Sequence, residues 1–152
     1  IIGTSKAGLN SLNSAFEKTF ISDFLKLGRS AKYMGFITNK KVKEIMNSSS
    51  ILVVPSVWDD PFPLTALEGL ASGQAVVASA RGGLVEMLNN IGLLIEDINV
   101  NNLTQEILKL MKDNKKLSYF QKKSWNNFIY DQQEISKKQD KIRINIFKDF
   151  FS

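Results

Sequence analysis

The chain has 152 residues, is 43% apolar and 23% charged, and carries a formal net charge of +5, which fits one globular domain with a real core. It contains no cysteine and no histidine, so disulfides, thiolate metal sites, an imidazole base and a histidine metal ligand are excluded from within these residues. No apolar run approaches the ~20 residues of a membrane span, and Ile1-Ile2-Gly3 does not read as a signal peptide.

In chain order, Ile1-Ile2 reads as the end of a strand. Residues 11–27 follow as a helix, with Leu12, Ala15, Phe16, Phe20, Phe24 and Leu27 at three- and four-residue steps. Tyr33-Met34-Gly35-Phe36 predicts a strand, and residues 40–47 a helix carrying Val42, Ile45 and Met46. The apolar run Ile51-Leu52-Val53-Val54 is a second strand, followed by a helix over 64–72 with Leu64, Leu67, Leu70 and Ala71. Two more strands are expected at 75–78 and 92–95, then a helix over 101–112 with Leu103, Ile107, Leu110 and Met111. The strands are continuous rather than alternating in polarity, as parallel strands buried on both faces are. Together these elements predict an α/β fold, a parallel sheet with flanking helices.

From Asn114 the pattern is helical to the end, a long C-terminal extension. Leu117, Phe120, Trp125 and Phe128, then Ile135, Ile142, Ile146 and Phe150, are spaced like core positions. Two parts are expected: a ligand-binding domain over 1–113, and C-terminal helices over 114–152 that pack on it or on another domain. The charge follows this division. Residues 1–98 are balanced, and the whole basic excess lies in 99–152. A basic tail can meet an anionic membrane or a nucleic acid, or simply face solvent. Nucleic acid is disfavoured, because no recognition motif is present and the aromatics of the tail lack the pattern of a stacking platform.

The densest chemistry lies after the strand Ile51-Leu52-Val53-Val54. Pro55, Pro61 and Pro63 are the chain's three prolines and stiffen one loop. Pro63 suits the first position of the following helix. The free N–H groups of Leu64 and Thr65 and the helix dipole then favour a phosphate. Asp60 before the turn and Glu68 one turn into the helix can accept hydrogen bonds from hydroxyls, Glu68 gripping a diol. Ligands of parallel sheets bind at the strands' carboxyl ends, and a nucleotide-sugar carries both phosphates and hydroxyls. Singly, Asp60 also reads as a turn former and Glu68 as a solvated helix residue. A second loop, Ser79-Ala80-Arg81-Gly82-Gly83-Leu84-Val85-Glu86, has a glycine pair at a strand-to-helix turn, which allows close backbone approach to a ligand or simply makes a tight turn. Arg81 offers either a cation for a phosphate or a surface charge.

These segments together resemble the C-terminal half of a family 4 glycosyltransferase of the GT-B type. The resemblance rests on Gly35-Phe36, Pro55-Ser56, Asp60-Pro61-Phe62, Thr65, Glu68, Ala71-Ser72-Gly73, Ala78-Ser79 and Gly82-Gly83-Leu84-Val85-Glu86, in that order. The Trp-Asp-Asp-Pro-Phe-Pro variant is similar to bacterial enzymes that build lipopolysaccharide or capsule. The resemblance implies a Rossmann-like donor-binding domain. In it, Glu68 holds the nucleotide ribose and Asp60 contacts the donor sugar near the reacting centre. It further implies that Phe62, Pro63, Leu64 and Thr65 meet sugar and diphosphate, that Gly35, Phe36 and Ile37 lie against the base, and that Gly82, Gly83 and Glu86 shape the adjacent wall. Transfer from a nucleotide-sugar to a glycan or lipid-linked acceptor, with retention and without metal or other cofactor, is the activity implied. The expected location is cytoplasmic, with peripheral contact at the inner face of the cell membrane as an option.

The sequence departs from the family pattern in three ways. Asp60 stands where Glu is usual, and Pro63 where Gly is usual. The family's first strand of this domain, with Arg and Lys phosphate clamps, is expected before Ile1, and an acceptor-binding N-terminal domain before that. The chain is therefore expected to be part of a longer enzyme and inactive in transfer alone. A nucleotide-sugar epimerase of the same architecture, and a non-catalytic module that binds a membrane or partner through the basic tail, are the alternatives. The base, the sugar and the acceptor are left open.

Overall fold

The computed structural model describes residues 15–128, together with Ser136, Lys137, Asp140 and Lys141. Two compact units make up the chain, Ile1–Glu44 and Ile45–Ser152. The expected strand at Ile1-Ile2 and the apolar positions Ile135, Ile142, Ile146 and Phe150 lie outside the described residues.

In the first unit, α1 (Ala15–Lys26) is followed by a 3-10 turn at Gly28–Ser30. Phe20 and Phe24 stack at 6.0 Å, as one-turn spacing on a helix allows, and Tyr33 meets both edge-on at 6.2 Å. Residues 33–36 do not form the predicted strand. Gly35 makes a single bridge and takes φ +59°, a left-handed conformation that interrupts extended backbone. α2 (Asn39–Asn47) opens where the Thr38 hydroxyl accepts from the Lys41 N–H.

The second unit is a parallel sheet of β1 (Ile51–Val54), β2 (Ala75–Ser79) and β3 (Leu93–Ile95), in the order β1-β2-β3. Register pairs Ile51 with Ala75, Val54 with Ala78, and Val77 with Leu93. Every residue of the central β2 is buried. Its pleat divides the core into two layers. Val76 and Ala78 pack with Ala66, Leu70, Leu84, Met87 and Leu88 from α3 (Leu64–Ala71) and α4 (Gly83–Leu88). Ala75 and Val77 face the other way, toward Leu110, Leu103, Leu117 and Phe120 from α5 (Val100–Lys112) and α6 (Asn114–Asn126). Helices on both faces of a parallel sheet are the architecture expected from the sequence.

Each connection has a local cause. Gly73, at φ +68°, ends α3: its N–H bonds to Leu70 O and the Gln74 N–H to Gly69 O, the paired closure of a left-handed helix cap. Asn99 caps α5 by accepting from Asn102 N, and Asp113 caps α6 by accepting from Lys115 N and Lys116 N. α6 is fastened where the Ser124 hydroxyl donates to Gln74 O at 2.6 Å and Gln121 Nε2 to Ser50 O at 3.3 Å. Ser50 and Gln74 immediately precede β1 and β2, so α6 passes the amino ends of those strands. Trp125, expected among core positions, is 71% exposed. The helix buries Ser124 and turns its next residue about 100° away from the sheet.

Candidate donor site at the carboxyl ends of β1 and β2

Two loops meet at the carboxyl ends of adjacent strands. The first, after β1, is built by hydrogen bonds to small side chains. Ser56 Oγ accepts from the Trp58 N–H at 3.2 Å and donates to Trp58 O at 3.0 Å, closing a tight turn. Ser79, fully buried at the end of β2, donates from its hydroxyl to Ser56 O at 2.6 Å and ties that turn to the neighbouring strand. Asp60 Oδ1 then accepts from the Phe62 N–H at 2.9 Å, the reach of an Asx turn. Asp60 is therefore a turn former, and among the described residues its second carboxylate oxygen has no hydrogen-bond partner.

The second loop, Arg81–Gly83 after β2, is pressed against the first. Gly83 N donates to Asp60 O at 2.8 Å. A Cβ on Gly82 would lie 2.6 Å from Asp60 O, and one on Gly83 would collide with the carbonyl of Pro61. Gly82 also takes φ +47°, so both sterics and backbone conformation require glycine there. The glycine pair, expected to allow close approach to a ligand or to make a tight turn, is packed against the Asp59–Pro61 backbone. Arg81 Nη1 stands 3.9 Å from Asp59 Oδ1, with both side chains largely exposed, a weak pairing.

Pro63 occupies the N-cap of α3 rather than the first helical position, with ψ 97°. Its carbonyl accepts from Ala66 N and Leu67 N. The N–H groups of Leu64 and Thr65 have no partner within their helix, and the cap supplies no side-chain bond. Thr65 and Glu68 are exposed on α3, the latter one turn from its start. A cleft of about 100 Å³ is lined by Pro61, Phe62, Gly83, Glu86 and Met87. Asp60, Phe62, Pro63, Gly82, Gly83 and Glu86 therefore converge, and Leu64, Thr65 and Glu68 continue from them along one short helix. Gly35, Phe36 and Ile37 belong to the other compact unit. Phe36 is exposed and Gly35 buried there.

Three contributors were not foreseen. Gly69 lies where a Cβ would collide with the side chain of Leu52, so α3 can sit close on the sheet only without a side chain there. Val57 and Trp58, 79% and 77% exposed, stand beside Asp60 on the fastened turn. Trp58 was legible in the motif only as a loop residue. Among the described residues no group of three Asp or Glu side chains could hold a metal ion.

The chain is similar to known proteins over most of its length. It is 29% identical over 129 residues to the N,N'-diacetylbacillosaminyl-diphospho-undecaprenol alpha-1,3-N-acetylgalactosaminyltransferase of Campylobacter jejuni, covering 83% of this chain and 33% of that protein. In structure it matches the sucrose-phosphate synthase from Thermosynechococcus elongatus with TM-score 0.76 at 23% identity, over 97% of this chain and 38% of that one. It matches Anabaena HepE, solved in complex with UDP and glucose, with TM-score 0.67 at 21% identity, over 92% of this chain and 39% of that one. The chain spans between 21% and 36% of the length of the curated relatives it matches. The profile of the family described as glycosyl transferases group 1 matches residues 2–126, and the chain belongs to that family.

Proposed function

We propose that this chain is the donor-binding part of a retaining glycosyltransferase, which takes a sugar from a nucleotide-sugar and passes it to a glycan or lipid-linked acceptor. The observation that carries the reading is the backbone lock between Gly83 N and Asp60 O. It fixes an acid-bearing turn shortly before the start of α3, which supports a site that offers hydroxyl acceptors and phosphate donors together. Glu68 would grip the ribose diol and Asp60, through its free oxygen, the sugar hydroxyls. Gly82, Gly83 and Glu86 would form the wall beside the sugar.

In the reaction, the bond from the anomeric carbon to the diphosphate oxygen breaks as a bond to the acceptor hydroxyl forms. Negative charge develops on the departing diphosphate, and the acceptor hydroxyl gives its proton to an oxygen of that diphosphate. The amides of Leu64 and Thr65 and the positive end of α3 are aimed at that charge, and need no reorganisation to meet it. The reading requires no metal ion. That the Campylobacter relative is named for an undecaprenol-linked acceptor supports a lipid-linked acceptor here. Lipopolysaccharide or capsule assembly at the cytoplasmic side of a membrane is the corresponding role.

Isothermal titration of the chain with nucleoside diphosphates and their sugar conjugates tests the reading. The conjugate should bind more tightly than the diphosphate, and Asp60→Ala should remove that difference. Equal loss of diphosphate and conjugate binding in Asp60→Ala would reject the sugar-contacting role.

A further inference from the structure

The cleft of about 100 Å³ lined by Pro61, Phe62, Gly83, Glu86 and Met87 has a definite chemistry. It adjoins the acid-bearing turn, because Pro61 and Phe62 follow Asp60 in the chain and Gly83 N is bonded to Asp60 O. Its walls are apolar. They are the Pro61 and Phe62 rings and Met87, which is 3% exposed and belongs to the core beneath α4. One lining side chain is polar, Glu86 in the first turn of α4. Among the described residues, its carboxylate has no hydrogen bond or ion pair. The backbone of the two loops adds little. The Phe62 N–H is taken by Asp60 Oδ1, the Gly83 N–H by Asp60 O, and Pro61 has none. The cleft therefore offers one strong acceptor, apolar walls and no side-chain donor.

We propose that this cleft takes an acetamido group of the donor sugar, which makes the transferred sugar an N-acetylhexosamine. The proposal rests on the donor reading above and adds the class of sugar to it. An acetamido group joins one N–H donor to a methyl group, and the lining asks for both. The N–H donates to Glu86, and the methyl lies against Pro61, Phe62 and Met87. The carbonyl, which finds no side-chain donor here, is left to solvent. A hydroxyl has the donor but no apolar end. Size argues the same way. One water-sized group needs about 10–15 Å³ of such space, so a hydroxyl would leave most of the cleft to water held against apolar walls. A further sugar ring is too large, since pockets for drug-sized ligands begin near about 300 Å³. A carboxylate or phosphate substituent would meet Glu86 with like charge.

Isothermal titration of the whole chain with UDP, UDP-glucose and UDP-N-acetylglucosamine tests the proposal, with the two galactose conjugates as a repeat. The acetamido conjugate should bind about tenfold or more tightly than its hydroxyl counterpart, because the hydroxyl loses the methyl contacts. Glu86→Ala should bring that ratio close to one. Glu86→Gln, whose amide oxygen still accepts from an N–H, should keep most of it, and Phe62→Ala should lower it several-fold. Saturation transfer in the unchanged chain is a second readout that needs no variant to fold. The acetamido methyl should be the most strongly saturated group of the bound sugar. Equal affinity for the two conjugates, an unchanged ratio in Glu86→Ala, or a methyl saturated less than the ring protons would overturn the proposal and leave the donor reading standing. So would binding of another nucleoside diphosphate with no UDP conjugate bound. Binding of no nucleotide at all would overturn both.

Discussion

Gly83 N lies 2.8 Å from Asp60 O, and this one hydrogen bond joins the loop after β1 to the loop after β2. The carboxylate that organises the first loop and the glycine that permits the second are thereby parts of one rigid corner. Everything proposed for the donor site depends on that corner.

The first prediction concerns the glycines themselves. A methyl at Gly83 meets the Pro61 carbonyl, and one at Gly82 meets Asp60 O. Backbone cannot swing aside as a side chain can. Gly82→Ala and Gly83→Ala should each destabilise the chain by about 2–4 kcal/mol, lowering the midpoint of thermal unfolding by roughly 5–15 °C. Either variant unfolding within 1 °C of the unchanged chain would mean the loops are not locked.

Gly69→Ala should be milder. Its obstacle is Leu52 Cδ2, the end of a side chain that can change rotamer. Alanine also favours helix over glycine by about 1 kcal/mol, which offsets part of the overpacking. A net loss of about 0.5–2 kcal/mol is expected in denaturant unfolding, smaller than at Gly83.

Asp60 has two separable roles. Asparagine can still accept from the Phe62 N–H, so Asp60→Asn should keep stability within about 0.5 kcal/mol, while Asp60→Ala loses a turn bond of about 0.5–1.5 kcal/mol. Both should lose the extra affinity for a nucleotide-sugar over its nucleotide. Calorimetric unfolding and titration of the two variants check this together.

Glu106 supplies a pH-dependent term. Hydrogen bonding to Lys109, together with the charges of Lys109 and Lys116, holds its carboxyl below the usual carboxylate range against a smaller opposing effect of burial. A depressed folded value means that its stabilisation is complete above the ordinary value near 4.5. It is lost as the pH falls through the lower folded value. Glu106→Gln should therefore be less stable than the unchanged chain at pH 7, by at most about 1 kcal/mol for an ion pair whose lysines are open to solvent. The two should converge in urea unfolding once the pH is below the depressed folded value.

How far the sequence alone reached varies with the interaction concerned. β1, β2 and β3 were legible because parallel strands buried on both faces are continuous apolar runs, and β2 is buried at every residue. α3, α5 and α6 followed from helical spacing and begin within a residue or so of their expected starts. Residues 33–36 failed as a strand because composition does not report the positive φ of Gly35. Trp125 was misplaced because one helical step decides between sheet and solvent, and the position of Ser124, a small polar residue bonded to a distant carbonyl, set the phase.

At the site, the residue types Asp60, Glu68, Gly82 and Gly83 stood out in sequence, but their relations did not. That the glycines serve the Asp60 loop depends on backbone contact between segments some twenty residues apart, which no local pattern encodes. The same is true of Ser79, whose buried hydroxyl holds Ser56 O across two strands.

The central claim, that Glu68 and the start of α3 hold a nucleoside diphosphate, is tested most directly by thermal shift. The chain and its Glu68→Ala variant would be compared against millimolar UDP, GDP and ADP. Ligand at ten times its dissociation constant stabilises by about 1.4 kcal/mol, or roughly 3–5 °C in a chain of this size. One nucleotide should raise the midpoint of the unchanged chain by that amount. Glu68 is exposed, so Glu68→Ala should unfold at the same unliganded midpoint and show no shift. Equal shifts in both proteins, or none in the unchanged chain with any of the three nucleotides, would contradict the account.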